Sequence, residues 1–188
     1  MADNSLSLQS PPIKYGIIGG VFYIFAVTVL YVLGVSYYTN PFIKFFLFLI
    51  ICFFPVRAGL EMRALNGGFI QFSSALFNIF LCFMIIEAFY VIYSWILPTV
   101  IDTDLTQKIV DYQILQVEEG KGFMGRELTE EQKQMAIAQI EKAGEQPQMQ
   151  WILLLLLVYA LVDFALSLIA AAFVKKDPGI NVPISDSE

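Results

Sequence analysis

The sequence predicts an all-α membrane protein with four transmembrane helices and a mostly helical extracytoplasmic loop between the third and the fourth. Two observations support this prediction. The 188 residues are 57% hydrophobic and only 15% charged, whereas soluble domains carry about 25% charged residues. The hydrophobic residues also lie in four long runs, and only helices and closed barrels satisfy the backbone hydrogen bonds of a chain in lipid.

Each run reaches the roughly 20 residues that a helix needs to cross the hydrocarbon core of a bilayer. The predicted spans are residues 13–38, 41–64, 69–97 and 151–174. Pro55 is expected to kink the second span, because proline cannot donate a backbone hydrogen bond, and Pro98 is expected to stop the third. Residues 1–12 and 175–188 are then tails, and residues 98–150 form the loop.

The positions of lysine and arginine predict the orientation, because cytoplasmic segments next to a span are enriched in both. Five basic residues fall on one side of a four-span protein: Lys14, Arg57, Arg63, Lys175 and Lys176. Aromatic residues of the kind enriched at membrane interfaces fall at the opposite ends of the spans: Tyr37, Tyr38, Tyr93, Trp95 and Trp151. Both termini are therefore predicted to be cytoplasmic.

The loop is expected to contain two short helices. The first follows Asp102, a good N-cap residue, and the second begins at Thr129, which forms a capping box with Gln132. The second helix has a narrow apolar stripe: Ala136, Ile137, Ile140 and Ala143. We expect this stripe to pack on the first loop helix, while the membrane surface and a partner protein are the alternatives.

Two acidic residues lie near the middle of predicted spans. Counted from the loop ends of their helices, Glu87 lies roughly 15 Å deep and Asp163 roughly 18 Å deep, at 1.5 Å per residue. Thr28 falls at a similar depth in the first span. An ionisable residue in mid-membrane indicates a functional site by default, so these three residues form a candidate intramembrane polar site. The alternative is a pair of neutral acids that join two helices by a hydrogen bond.

Small residues one turn apart indicate close helix packing. Gly16 and Gly20 form such a pair in the first span, and Ser167 and Ala171 form another in the fourth. We expect them to pack within the bundle, and dimerisation is the alternative.

The predicted cytoplasmic ends of the spans carry four candidate contacts for anionic lipid head groups: Arg57, Arg63, Lys175 and Lys176. Glu61 lies four residues after Arg57, so the two can pair on one helix face. The alternative is that these bases only fix the topology.

Two segments and the composition of the loop resemble an uncharacterised family of small four-helix bacterial inner-membrane proteins, a domain-of-unknown-function family. Residues 67–77, Gly-Gly-Phe-Ile-Gln-Phe-Ser-Ser-Ala-Leu-Phe, open the third span, and residues 167–176, Ser-Leu-Ile-Ala-Ala-Ala-Phe-Val-Lys-Lys, close the fourth. A Gln- and Glu-rich loop lies between them. The resemblance implies four spans in the bacterial inner membrane and no known activity. It also implies a partner, because members are encoded near membrane glycosyltransferases of lipid-linked sugar pathways.

We interpret the protein as a non-enzymatic accessory subunit or scaffold of an envelope complex, without a cofactor or metal. The chain has no histidine, the commonest general base and metal ligand. Its net charge of −6 argues against nucleic acid as a partner. Besides the bilayer, we expect a membrane-protein partner or self-association. The main alternative is a small ion or proton pathway through Glu87 and Asp163, and a weaker one is an enzyme on lipid-linked substrates that uses Asp102 and Asp104.

Overall fold

The computed structural model describes residues 9–119, 129–144 and 148–176. The regular secondary structure of these residues is helical, and the extended pairing among them is limited to one isolated bridge. Four helical segments are long and apolar enough to cross a membrane: Pro11–Leu33, Pro41–Leu65, Phe72–Ile101 and Leu156–Val174. The predicted fold class of four membrane-spanning helices is thereby confirmed.

The first two spans are built from four helices: α1 (Pro11–Leu33), α2 (Val35–Thr39), α3 (Pro41–Ile51) and α4 (Phe53–Leu65). The first span ends at Leu33 rather than at residue 38, because Gly34 has a φ of +119° that only glycine adopts readily. The second span is interrupted at Cys52. Pro55 explains this interruption, since its ring excludes the hydrogen bond to the carbonyl of Ile51.

The third span consists of α5 (Phe72–Ile96) and one π-helical turn (Leu97–Ile101). It begins after Gly67 and Gly68, which have φ values of +71° and +90°. Pro98 does not stop the span as predicted. Instead, it lies in the wider π turn, which closes with a 2.9 Å hydrogen bond from the amide of Asp102 to the carbonyl of Leu97. The fourth span lies in α8 (Gln148–Val174).

Two helices between the third and fourth spans, α6 (Leu105–Glu118) and α7 (Glu130–Gly144), pack against each other as expected. We call this pair the hairpin. The predicted capping box is confirmed: Thr129 N–H donates to Gln132 Oε1 at 3.1 Å, and Gln132 N–H donates to Thr129 Oγ1 at 3.3 Å. Predictions on residues 1–8, 120–128, 145–147 and 177–188 lie outside the described residues.

Helix α5 is the centre of the bundle, because α1, α4 and α8 all pack on it. We name the two ends of the bundle by what they carry: the hairpin end, and the terminal end where α1 begins and α8 finishes. At the terminal end, Ile70 and Lys176 form an antiparallel bridge with two 3.0 Å backbone hydrogen bonds. A buried cluster lies beside this bridge: Ile70, Ala75, Ile79, Phe83, Ala171 and Val174.

Candidate functional site

A cavity of about 510 Å³ lies between α1, α3, α5 and α8. Its size falls within the range of small-molecule pockets, about 300–1,000 Å³. Most of the wall is apolar or aromatic, and its side chains that carry a charge or a hydroxyl group are Tyr23, Tyr38, Lys44, Glu87, Tyr90, Ser94, Tyr159 and Asp163. We call this space the acidic cavity.

The interruption at Cys52 explains why the space exists. Towards the terminal end, α4 packs against α1, α5 and α8. On the other side of Cys52, α3 packs on α1, α2 and α4, and within the described part of the chain none of its Cα atoms lies within 8 Å of one in α5 or α8. Its last residue, Ile51, joins a buried cluster with Cys82 and Ile86 of α5. The four spans are therefore closely packed at the terminal end and separated next to α3, where the acidic cavity forms.

Both intramembrane acids line the acidic cavity. Glu87 on α5 is 6% exposed and Asp163 on α8 is 8% exposed. No amine, amide or hydroxyl group of the described residues donates a hydrogen bond to Glu87, and the carboxyl group of Asp163 lies within hydrogen-bonding reach of it. Buried polar groups are nearly always hydrogen-bonded, so Asp163 is the partner available to Glu87 within the described residues. The structure thus brings Glu87 and Asp163 to one space, as the depth estimate predicted.

Thr28 is not part of the acidic cavity. Its hydroxyl group is 2.6 Å from the hydroxyl of Tyr93 and donates to the carbonyl of Ile24 at 2.7 Å. The depth estimate grouped Thr28 with the acids wrongly, because depth does not specify the face of the helix. Tyr93 is itself buried beside Val27 and Leu97. It therefore does not lie on the lipid-facing surface, where it was predicted as an interfacial aromatic residue.

Three tyrosines form an aromatic wall next to the acids. The rings of Tyr23 and Tyr90 meet edge to face at 5.4 Å, and those of Tyr90 and Tyr159 at 5.5 Å. The aromatic wall was not predicted from the sequence, although helical spacing contains the signal. Tyr90 lies three residues after Glu87, and Tyr159 lies four residues before Asp163, so each shares a helix face with an acid.

Lys44 lies at the rim of the acidic cavity. Its ammonium nitrogen is 5.3 Å from the ring centre of Tyr38. Within the described ranges, no ion pair of 4.0 Å or less joins this nitrogen to Glu87 or Asp163. Within the described residues, neither Glu87 nor Asp163 therefore has a basic partner.

The four basic residues proposed as head-group contacts at the terminal end differ in whether they have a partner within the protein. Arg63 donates to the carbonyl of Val174 at 3.2 Å and thereby caps α8. The ammonium nitrogen of Lys176 is 5.8 Å from the ring centre of Phe69. Lys175 and Arg57 are both exposed. Of the four candidate head-group contacts, Arg63 is thus engaged within the protein.

Glu61 does not pair with Arg57 as the sequence suggested. Its carboxylate instead accepts from Lys14 at 2.9 Å and from the hydroxyl of Tyr15 at 2.6 Å. Both partners lie on α1, so this network joins the first two spans. The predicted ion pair between residues four apart on one helix is replaced by contacts between two helices. Residue spacing within one helix cannot predict such contacts.

The four candidate packing residues lie at helix contacts within the chain. A Cβ atom at Gly16 would lie 2.8 Å from Cβ of Ile85, and one at Gly20 would lie 2.5 Å from the ring of Phe89. These glycines therefore let α1 approach α5 closely. Ser167 and Ala171 are fully buried on α8, and the hydroxyl of Ser167 donates to the carbonyl of Asp163 at 2.6 Å.

The hairpin is attached to the spans by a polar network and by an apolar contact. Asp102 accepts from Lys108 at 2.8 Å and from the hydroxyl of Tyr31 at 3.0 Å. These two donors hold the pKa of Asp102 below its ordinary 3.8, and Asp102 raises the pKa of Lys108. Leu105, the first residue of α6, is 1% exposed and packs beside Leu97.

Comparison with known protein families gives a match. A family model described as "Protein of unknown function (DUF4199)" covers residues 14–176. The chain belongs to the DUF4199 family. This assignment confirms the predicted resemblance to an uncharacterised family. No curated protein and no solved structure matches this DUF4199 member. The matched range covers the four spans from Lys14 onward and contains the acidic cavity.

Proposed function

We propose that this DUF4199 member is a non-enzymatic, multi-pass protein of the bacterial inner membrane that acts as an accessory subunit or scaffold of an envelope complex. The observation that carries the proposal is the hairpin. Its first helix is anchored to the spans through Asp102 and Leu105, whereas no residue of α7 is buried. A helix that is fixed in position but open on one side is suited to binding a partner.

The partner belongs on the outer side of the membrane. Lys14, Arg57 and Arg63 lie towards the terminal end, and a cytoplasmic location of this end follows from the enrichment of basic residues there. The hairpin then lies outside the cytoplasm. A membrane glycosyltransferase of a lipid-linked sugar pathway is the partner class that the family resemblance suggests.

The topology is tested by labelling in intact cells, in a background that lacks Cys52 and Cys82. A cysteine at Gln139, exposed on α7, should react with a membrane-impermeant thiol reagent. A cysteine at Gln9, exposed before α1, should react only after the cells are opened. The reverse pattern contradicts the proposed orientation.

The partner role is tested by purification in a mild detergent, followed by identification of co-purifying membrane proteins. Met135 and Ala138 lie on the exposed side of α7. Met135→Arg with Ala138→Arg should remove the companion protein without changing the melting temperature. The conservative change Met135→Leu should retain it. Retention of the companion by the double arginine variant contradicts a role of α7 in binding.

A second function, a small ion or proton pathway, is favoured by the acidic cavity. Glu87 and Asp163 come from neighbouring helices and line one space, and intramembrane acids of this kind occur in ion and proton paths. The test is flux through liposomes that contain the purified protein. The double variant Glu87→Gln with Asp163→Asn should abolish flux and keep the fold. Unchanged flux in this variant contradicts the pathway.

A further inference from the structure

We propose that the acidic cavity is a binding site for a lipophilic organic cation, an ammonium or phosphonium group that carries apolar or aromatic substituents. The proposal concerns the same cavity as the pathway above, but it does not rest on it, because binding requires no movement of ions across the membrane. It also goes beyond the role of an accessory subunit, because it assigns a ligand to the membrane-embedded part of the protein.

The first argument is that the two buried acids have no basic partner. Glu87 is more than nine-tenths buried, it lines the cavity, and no amine, amide or hydroxyl group of the described residues donates to it. Asp163 lines the same space within hydrogen-bonding reach of Glu87. Buried charges are ordinarily paired or bound to a metal. Since Lys44 forms no ion pair with either acid, a positive group from a ligand would complete the site.

The second argument is the aromatic wall. Tyr23, Tyr90 and Tyr159 lie beside the acids, and aromatic rings attract organic cations through their electron-rich faces. A metal ion is a poor match, because Ca²⁺ takes six to eight oxygen ligands. In the described residues, no group of three or more acidic, cysteine or histidine side chains lies together.

The third argument is access from the lipid. No Cα atom of α3 lies within 8 Å of one in α8 in the described chain, so the backbones of these two helices are separated on that side of the cavity. Phe45 and Phe48 of α3 and Tyr159 of α8 line the cavity and are each more than one-third exposed. A lipophilic cation dissolves in the bilayer and can reach the acids sideways, whereas a hydrated ion cannot.

The position of Lys44 separates this proposal from its main alternative. An anionic amphiphile, such as a lipid with its phosphate at the rim, would use Lys44 as its partner. A cation bound deep in the cavity would instead be repelled by Lys44. The two occupants therefore predict opposite effects when this lysine is removed.

The experiment compares two probes of the same shape and opposite charge, tetraphenylphosphonium and tetraphenylborate, by equilibrium dialysis with the full-length protein in detergent. We expect saturable binding of one tetraphenylphosphonium per chain and no saturable binding of tetraphenylborate. This comparison uses the unmodified protein, so it does not depend on whether a variant folds. Equal binding of the two probes, or saturable binding of the borate alone, overturns the proposal.

Variants then locate the site. Glu87→Gln and Asp163→Asn should each weaken tetraphenylphosphonium binding at least about tenfold, the effect of losing one interaction with a charged group. Asp111→Asn removes an acid from the surface of α6 and should leave binding unchanged. Lys44→Met should strengthen binding. Wild-type affinity in the double amide variant, or loss of binding in Lys44→Met, overturns the proposal, whatever the outcome of the flux and co-purification experiments.

Discussion

Replacement of Gly16 by leucine tests the contact between α1 and α5. The first added carbon would lie 2.8 Å from both Cβ and Cγ2 of Ile85. Carbon atoms in contact are about 3.5–4.0 Å apart, and Cβ of Ile85 is fixed to the backbone. The two helices would therefore have to separate by roughly 1 Å before the remaining three carbons of leucine are accommodated.

The expected loss of stability follows from two opposing effects. Overpacking a core by extra methylene groups costs up to about 3 kcal/mol, and the upper value applies because even one carbon has no room. Leucine regains about 0.8 kcal/mol of helix propensity relative to glycine. We therefore expect the free energy of unfolding to fall by about 2 kcal/mol.

The assay is unfolding by a denaturing detergent, followed by the helical circular dichroism signal. Val21→Leu is the matched control, because it introduces the same residue on the opposite side of α1, where Val21 is 55% exposed. The control should leave the free energy of unfolding unchanged. The reasoning is refuted if Gly16→Leu is as stable as wild type, and above all if it only dissociates an oligomer, because Gly16 then packs against a second copy.

Three further predictions concern polar contacts. Tyr93→Phe and Thr28→Val each remove the hydrogen bond between these two side chains, so each should lower the free energy of unfolding by about 0.6 kcal/mol. The double variant should lose no more unfolding free energy than either single variant. Additive losses would show that the bond does not contribute. The pKa of Asp102 is lowered by Lys108, so the stabilisation by this pair is present at neutral pH and lost as the pH falls below 3.8. The difference in unfolding free energy between wild type and Asp102→Asn should therefore shrink between pH 7 and pH 3, and a constant difference contradicts the assignment. Thr129→Ala removes the N-cap of α7 and costs about 1 kcal/mol, so hydrogen exchange of the α7 amides should become about fivefold faster, and unchanged exchange would disprove the capping role.

Hydropathy predicted the four spans because each needs only a long apolar run, which is a local property of the chain. The ends of the spans were harder to predict. Helix α1 ends at Leu33, inside an apolar run, and the third span continues through Pro98 in a π turn. Both depend on backbone angles that composition does not specify. The interruption at Cys52 was predictable because Pro55 has a direct chemical effect on the helix.

The sequence predicted the depth of the candidate site residues in the membrane but not the side of the helix on which each one lies. The distance along each helix placed Glu87 and Asp163 at one level, and they do share a cavity. Thr28 lies at a similar depth but faces Tyr93, because the rotation of a helix is set by its packing. The aromatic wall and the partners of Glu61 arise between helices, so neither follows from any one segment alone.

The order of synthesis leaves Glu87 without its neighbouring acid for a time. Asp163 lies on the last span, and among the described helices α8 packs on α4 and α5 alone, so the first three spans can assemble before α8 exists. Residues 102–147 must be translated in between, which takes roughly 2 to 9 seconds at 5–20 residues per second. During this interval the wall that α8 provides is missing, and Glu87 faces lipid or the insertion machinery. A ribosome that stalls within the loop would therefore leave a three-span fragment with an unshielded intramembrane acid, a feature by which membrane quality control can distinguish it from the finished protein.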